Sequence, residues 1–159
     1  MSGIDVVLAD LYRGETRLAE TLTTVSNRHV DEAEVHFVAR TLAEWSRKHV
    51  RRLEDYDGGL ANSTRERVQS LWHSLEDSVA SVLGRRGTDP LALLADLRDL
   101  YLAASANSLG WEMLAQVAQA TRNAELLELA SSCHPQTLRQ VRWANTMIKT
   151  LSPQLLASL

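Results

Sequence analysis

The sequence predicts an all-α fold, an up-down four-helix bundle with a short extra connecting helix. Helix breakers are scarce, since only 7 of the 159 residues are Gly and 3 are Pro. Apolar residues make up 45% of the chain and recur at spacings of three, four and seven, the pattern of helices with one buried face. A chain near 150 residues is typical of one domain that folds without disulfides or metals. Residues 1–159 are therefore predicted to form a single domain.

The first two predicted helices form a hairpin. The apolar stripe of the first consists of Leu8, Leu11, Leu18, Leu22 and Val25. It predicts a helix from about Asp5 to Arg28. Asp31 and Glu34 have capping-box spacing, which predicts that the second helix starts there after a tight reversal. Its stripe contains Val35, Val38, Leu42, then Trp45 or His49, and Leu53. The Asp-Gly-Gly sequence at 57–59 ends it.

The rest of the chain predicts a connector and two further long helices. A second capping box predicts a short connecting helix over 63–84. Asp89 as N-cap, with Pro90 at the first helical position, opens a helix of about thirty residues. The last helical stretch starts near Asn123, and we expect Pro135 to kink or interrupt it.

Composition excludes several classes of function. The chain has 17 basic and 20 acidic residues, and this balance argues against a cationic surface for nucleic acid. Asp5, Asp10 and Glu15 stand where a signal peptide needs a basic start and an apolar run, and no segment reaches membrane-spanning length. The single Cys excludes an internal disulfide framework. We therefore expect a soluble cytoplasmic protein that binds neither membranes nor nucleic acid.

One carboxylate stands on an apolar stripe. Glu15 lies between Leu11 and Leu18, so it points toward the core or its margin, where an isolated charge is costly. If the reversal centres near position 30, antiparallel pairing brings it opposite Glu44 and His49. Glu15, Glu44 and His49 then form a candidate inter-helical metal site. In the alternative interpretation Glu15 is a boundary residue paired with an Arg, and His49 is partly exposed.

Two segments carry a family resemblance. LADLYRGETRLAETL and TLAEWSRKHVRRLE resemble the first two helices of the YciE/YciF group of ferritin-like proteins. DPLALLADLRDLYLAASANSLGWEMLAQVAQATRNAELLELA resembles the third long helix and the reversal into the last. The resemblance covers roughly positions 5–150 and implies a ferritin-like bundle. It also implies a di-metal site, with a carboxylate on helix one, Glu-x-x-His on two, and further Glu or His ligands on the last two long helices.

This chain departs from the ligand pattern that the resemblance implies. Glu15 matches the first ligand and Glu44 matches the Glu of the second helix, but Arg47 stands where that helix should carry His. On the third long helix the expected carboxylate falls near Asn107, and positions 138–143 of the last helix contain no carboxylate. The di-metal site is therefore degenerate, and we assign no catalytic, cofactor-binding or metal-ligating residue.

Other chemically interesting residues each have a structural alternative. A basic cluster comprises Arg47, Lys48, Arg51 and Arg52. It would attract phosphates or an acidic partner, or form a solvated face near a helix C-terminus. Cys133 is either an activated thiol near a helix start or an inert buried one. The tryptophans are expected to be core or interface anchors: Trp45, Trp72, Trp111 and Trp143. Zinc binding is not expected, because the sequence places no second histidine three or four residues from any of His29, His36, His73 and His134.

Three functional hypotheses follow from the sequence. The first is a metal-free bundle that acts through protein contacts as a homodimer, with Trp and Leu side chains of one helix pair at the interface. It rests on the apolar excess of one helix: Leu91, Leu93, Leu94, Leu97, Leu100 and Leu102. The second is a residual metal-binding or oxidation-linked stress protein that uses Glu15, Glu44 and His49. The third is a protein that binds a small apolar ligand in the space of the lost metal site, with Asn107 and Asn145 orienting the ligand.

Gly110 is a glycine predicted in the middle of a long helix, near the level where the family gathers its carboxylates. A mid-helix Gly costs up to about 1 kcal/mol relative to Ala. We therefore expect a neighbouring helix to approach closely at this position, in place of a metal.

Overall fold

A computed structural model describes residues 2–56 and 87–158, which form four α-helices. The helices are α1 (Gly3–Arg28), α2 (Ala33–Tyr56), α3 (Pro90–Ala120) and α4 (Ala124–Leu156). Neither range contains a strand. The predicted all-α class with four long helices is thus confirmed. The connecting helix over 63–84, the break at 57–59, Trp72 and His73 lie outside the described residues.

Side-chain caps fix the starts of three helices. Ser2 and Asp5 form a capping box at α1, in which the Ser2 hydroxyl accepts from the Asp5 N–H at 3.2 Å and the Asp5 carboxylate accepts from the Ser2 N–H at 2.6 Å. These hydrogen bonds hold the pKa of Asp5 below its usual value. Asp89 caps α3, with Pro90 at its first position, and Asn123 caps α4, both as predicted. In contrast, α2 begins at Ala33, two residues after Asp31.

Pro135 does not interrupt the last helix. α4 continues through both Pro135 and Pro153, so the predicted interruption is wrong, whereas the alternative of a kink stays a prediction. Proline at 135 cannot donate to the carbonyl of Ser131, four residues earlier. Ser131 and Pro135 are both exposed. Water can therefore solvate that carbonyl, and the packing on either side keeps the helix continuous.

Contacts between helix ends give the direction of each helix. The turn at 29–32 joins α1 and α2 as an antiparallel pair. Arg28, at the end of α1, binds Asp96 near the start of α3, so these two helices are antiparallel as well. Asn123 at the start of α4 donates to the Tyr56 hydroxyl at the end of α2. Along the chain the directions are therefore up, down, down, up.

The step from α2 to α3 departs from simple up-down alternation. Because both helices are antiparallel to α1, α3 begins at the end of the bundle opposite to that at which α2 ends. Residues 57–89 separate the two helices, so this connection is long enough to join helices that run in the same direction. The other two connections are only a few residues long and join antiparallel helices. Alternation holds for α1–α2 and for α3–α4 only.

The apolar core consists of two clusters. The first lies toward the α1–α2 turn and contains Leu18, Leu22, Val25, Val35, Ala39, Leu42, Ala43, Leu93, Leu97, Leu100, Ala104, Ala144, Met147 and Leu151. The second lies toward the other end and contains Leu8, Leu11, Leu53, Trp111, Leu114, Ala118, Leu126, Leu129, Ala130 and Cys133. Trp111 is a fully buried core anchor, and Trp45 and Trp143 pack half-buried on the first cluster. A level of polar side chains lies between the two clusters.

The close helix approach predicted at Gly110 is confirmed. Gly110 is buried on α3 and faces Leu11 of α1. A Cβ atom added to Gly110 would lie 2.8 Å from Leu11 Cδ2 and 2.9 Å from its Cγ. These distances are too short for a Cβ contact, so α1 and α3 pack at a separation that only glycine permits here.

Gly110→Ala is expected to destabilise the fold despite its better helix propensity. Overpacking costs typically 1–3 kcal/mol and the propensity gain returns at most about 1, so a net loss of roughly 0.5–2 kcal/mol follows. Urea unfolding followed by circular dichroism measures it. Gly3→Ala is the control, because nothing lies within 4 Å of a Cβ there. A Gly110→Ala protein as stable as the control would show that the helices are not in close contact.

Candidate functional site

A layer of polar side chains divides the two apolar clusters. We call it the polar layer and define it by Glu15 on α1, His49 on α2, Asn107 and Trp111 on α3, and Thr137 on α4. All five are buried, and the exposed fractions of Glu15 and His49 are 0% and 1%. Each helix supplies at least one member because these positions lie on the inward stripes that also carry the apolar core.

One carboxylate oxygen of Glu15 collects the hydrogen bonds of the polar layer. Glu15 Oε1 accepts from Trp111 Nε1 at 2.9 Å and lies 3.1 Å from His49 Nδ1. The Thr137 hydroxyl donates to the same oxygen at 3.5 Å. The other ring nitrogen of His49, Nε2, lies 2.8 Å from Gln136 Oε1. With the Gln136 amide in this orientation, both His49 ring nitrogens face oxygen acceptors.

The structure corrects the boundary interpretation of Glu15. That interpretation paired Glu15 with an Arg and left His49 partly exposed, but the two residues are fully buried and paired with each other. The antiparallel register that brings Glu15 opposite His49 is confirmed. Glu44, the third residue of the candidate metal site, is exposed and pairs with Arg47. The structure thus brings together two of the three predicted residues.

The side chains around Glu15 do not fit a di-metal centre. Such centres in helical bundles use Glu from two helices and Glu-x-x-His from the other two. Here α3 presents Asn107 and Trp111 to this level, and α4 presents Thr137 and Gln140. In residues 2–56 and 87–158, no three His, Cys, Asp or Glu side chains are grouped to hold a metal ion. The Trp111 N–H, a hydrogen-bond donor, points at the carboxylate where a metal would bind.

Some polar atoms near the layer have no hydrogen-bond partner. Glu15 Oε2, Asn107 Nδ2 and Gln140 Oε1 are buried without one in the described part of the chain. Asn107 lies over Gly14, where an added Cβ would come within 2.1 Å of Asn107 Oδ1. Asn145, the second residue predicted to orient an apolar ligand, is half-buried on α4. An unpartnered buried polar atom costs about 1–3 kcal/mol, so the layer is not the most stable filling of this space.

A second buried ionic group joins α1 to α3. We call it the Asp96 cluster and define it by Arg28, His29 and Asp96. The fully buried carboxylate of Asp96 accepts from Arg28 Nη1 at 2.9 and 2.8 Å and lies 2.7 Å from His29 Nε2. Sequence reasoning missed this cluster. The sequence does contain one indication of it, because Asp96 stands within the apolar run Leu93 to Leu97, at a position where a buried apolar residue is expected.

Cys133 is not an activated thiol. Cys133 is buried. It lies well inside α4, because this helix starts at Ala124, eleven residues before Pro135. Burial raises the pKa of the Cys133 thiol to about 12. At neutral pH the thiol is therefore protonated and shielded, which supports the inert interpretation.

The basic cluster on α2 is partly neutralised within the chain. Arg47 pairs with Glu44 and donates to the Thr23 hydroxyl at 2.6 Å. Arg52 binds Glu128 of α4 at 2.7 Å. These bonds favour the interpretation as a solvated face, and binding of phosphates or acidic partners stays a prediction.

The outward side of α3 carries a line of exposed residues. We call it the outer stripe, and it consists of Leu102, Ala106, Leu109, Met113, Gln116 and Ala120. The exposed fractions of Leu102, Leu109 and Met113 are 51%, 60% and 53%. Successive residues of the outer stripe are alternately four and three positions apart, which is the period of a coiled-coil seam. An open groove of about 630 Å³ runs along its carboxyl half, lined by Leu109, Glu112, Met113, Gln116, Val117 and Ala120.

The opposite side of α3 faces the core at the same period. Leu97, Ala104, Trp111 and Ala118 follow one another at intervals of seven and are buried. Of the leucines that motivated the dimer hypothesis, Leu93, Leu97 and Leu100 lie in the core, whereas Leu91 and Leu102 are exposed. α3 thus carries apolar residues on two opposite sides, one buried in the core and one exposed.

Comparisons of the chain with protein-family models, with curated proteins and with solved structures found no match. Across residues 2–56 and 87–158, none of the helices combines the length and the apolar character needed to cross a bilayer.

Proposed function

We propose that the chain is a ferritin-like helical bundle that has lost di-metal chemistry and acts through protein contacts as a homodimer formed by the outer stripe of α3. The observation that carries this proposal is the line of Leu102, Leu109 and Met113, each more than half exposed, on one side of a helix whose other side is buried. Single exposed apolar residues are common on protein surfaces, but apolar residues aligned at the coiled-coil period are typical of helix pairing.

Burial of the outer stripe would supply the free energy of association. Transfer of a Leu or Met side chain from water to an apolar interface contributes roughly 1.5–3 kcal/mol when complete. Three such side chains with the intervening alanine form the apolar centre of a helix pair. The polar Gln116 and the solvated flanks would then form a rim.

The order of helix directions supports the ferritin-like part of the proposal. Ferritin-like bundles have one long connection, between two helices that run in the same direction. α2 and α3 are parallel here and are separated by residues 57–89. The loss of di-metal chemistry is supported by Asn107, Trp111, Thr137 and Gln140, none of which is a carboxylate or an imidazole.

Leu109→Glu is expected to convert the dimer into a folded monomer. The substitution places a charge at the centre of the outer stripe, and its two copies would be buried without partners. Size-exclusion chromatography with light scattering gives the mass, and circular dichroism confirms the helix content. Leu156→Glu is the matched control, since Leu156 is 54% exposed on α4, outside the stripe. We expect the control to keep the wild-type mass.

Two outcomes would contradict the proposal. A Leu109→Glu protein that retains the dimer mass would show that another surface mediates association. A monomeric wild type that Leu109→Glu destabilises would show that the stripe is covered within the chain itself.

A residual metal-binding or oxidation-linked role is the second candidate. It is favoured by Glu15 Oε2, a buried carboxylate oxygen that has no hydrogen-bond partner among residues 2–56 and 87–158 and belongs to the side chain that contacts His49. Metal analysis of protein purified without chelators tests it, with Glu15→Ala as the comparison. Stoichiometric iron, manganese or zinc that is lost in the variant would support this role, and its absence from the wild type would remove it.

A further inference from the structure

We infer that the two copies pair through α3 in an antiparallel arrangement, with the two-fold axis passing between residues 107 and 108. This inference rests on the proposed function and specifies the register of the interface. A two-fold interface requires a surface that is complementary to itself. The sequence of the outer stripe meets that requirement when the two helices run in opposite directions.

The centre of the stripe is self-complementary. About an axis between positions 107 and 108, Leu102 faces the partner's Met113, and Ala106 faces the partner's Leu109. Each large side chain then meets either another large apolar side chain or the space beside an alanine, as in the facing positions of antiparallel coiled coils. In this arrangement the amino half of the partner's outer stripe lies in the groove along the carboxyl half of the stripe. The largest apolar side chain that enters the groove is the partner's Leu102.

The ends of the stripe match in the same register. The same spacing continues toward the amino terminus through Asp99 and Ala95, both half-exposed. Asp99 then faces the partner's Gln116, so that a carboxylate meets an amide that can donate to it. Ala95 faces the partner's Ala120, which lets the two helices approach closely. Read from either end, the stripe presents a small, then a polar, then a large apolar residue.

Charges on the flank of the stripe exclude the neighbouring registers. In the proposed register Glu112 faces the partner's Ser105 and Arg98 faces the partner's Gln119, so no like charges meet. A shift of one heptad toward the carboxyl end places Glu112 opposite the partner's Glu112. The opposite shift places Asp99 against the partner's Leu109. Parallel pairing would place Asp99 opposite the partner's Asp99. Each alternative brings together like charges or a charge and an apolar side chain.

Disulfide cross-linking of cysteine variants tests the register. Leu102→Cys and Met113→Cys in one chain are about 16 Å apart along the helix, so they cannot bond to each other. In the proposed register each faces the other in the partner, and the double variant is expected to form a covalent dimer under mild oxidation. Neither single variant is expected to do so. Cys133 adds no background because its thiol is buried and its pKa is raised to about 12.

A second double variant distinguishes the possible failures. Among the antiparallel registers, Leu109→Cys with Met113→Cys would cross-link only in the one shifted by one heptad toward the carboxyl end. Cross-linking of that variant, or a dimer mass without cross-linking of the first, would overturn the register and leave the proposed homodimer intact. A monomer mass by light scattering would overturn both. Cross-linking of Leu102→Cys alone would indicate a parallel pair and would also overturn the inference.

Discussion

Glu15→Ala is expected to lower the free energy of unfolding by about 3–5 kcal/mol, the cost of removing one partner from a buried ion pair. Glu15 Oε1 accepts from the indole N–H of Trp111 and pairs with His49 Nδ1 in a region without solvent access. Without the carboxylate, His49 Nδ1 and the Trp111 indole N–H would both remain buried and would lose this acceptor. Part of this loss of stability comes from the cavity that the smaller side chain leaves at the junction of the two apolar clusters.

Urea unfolding at fixed protein concentration measures this effect, since the proposed dimerisation would make stability depend on concentration. Glu44→Ala is the control. It removes a carboxylate that is exposed and paired with Arg47 on the same helix, so its effect should stay within about 0.5 kcal/mol. A Glu15→Ala protein that unfolds at the same urea concentration as the control would show that the buried pair does not contribute to stability.

Asp96→Ala is expected to cost a similar amount, about 3–5 kcal/mol, for the same reason. Asp96 is fully buried and binds both Arg28 and His29, the last residue of α1 and the residue after it. Its loss would leave two basic groups buried at the end of α1 and would release the contact between α1 and α3. Asp96→Asn keeps the size and one acceptor oxygen and is expected to lose less.

Asp10→Ala provides the comparison for Asp96. Asp10 also pairs with an Arg, since its carboxylate lies 2.9 Å from Arg13 Nη2, but the Asp10 side chain is largely exposed. The change should therefore stay within about 0.5 kcal/mol. Chemical denaturation of the three proteins, followed by Trp fluorescence, gives the ranking. Equal midpoints for Asp96→Ala and Asp10→Ala would contradict a structural role for the Asp96 cluster.

The parts of the fold that the sequence predicts are those determined by local interactions. Asp89, Pro90 and Asn123 act within the first turn of their own helices, and the structure finds each at the predicted position. The pairing of Glu15 with the region of His49 is also local in origin, because a four-residue turn fixes the register of α1 against α2. Gly110 was identified because a mid-helix glycine requires a packing reason.

The parts that the sequence does not predict depend on helices far apart in the chain. Asp96 and Arg28 are 68 residues apart, and their contact requires the antiparallel packing of α1 and α3. That packing depends in turn on the direction of α3, which no turn motif specifies. Whether Glu15 would pair with an Arg or with His49 was also open, because the rotation of α2 decides which of its side chains face α1. Pro135 was misjudged because its exposure on α4 is a property of the packed bundle.

The central claim, association through the outer stripe of α3, is tested most directly by the mass of the wild-type protein in solution. Size-exclusion chromatography with light scattering, repeated over a range of protein concentrations, measures it. We expect twice the chain mass of 17.7 kDa at the higher concentrations. A mass of one chain at every concentration, up to the limit of solubility, would contradict it.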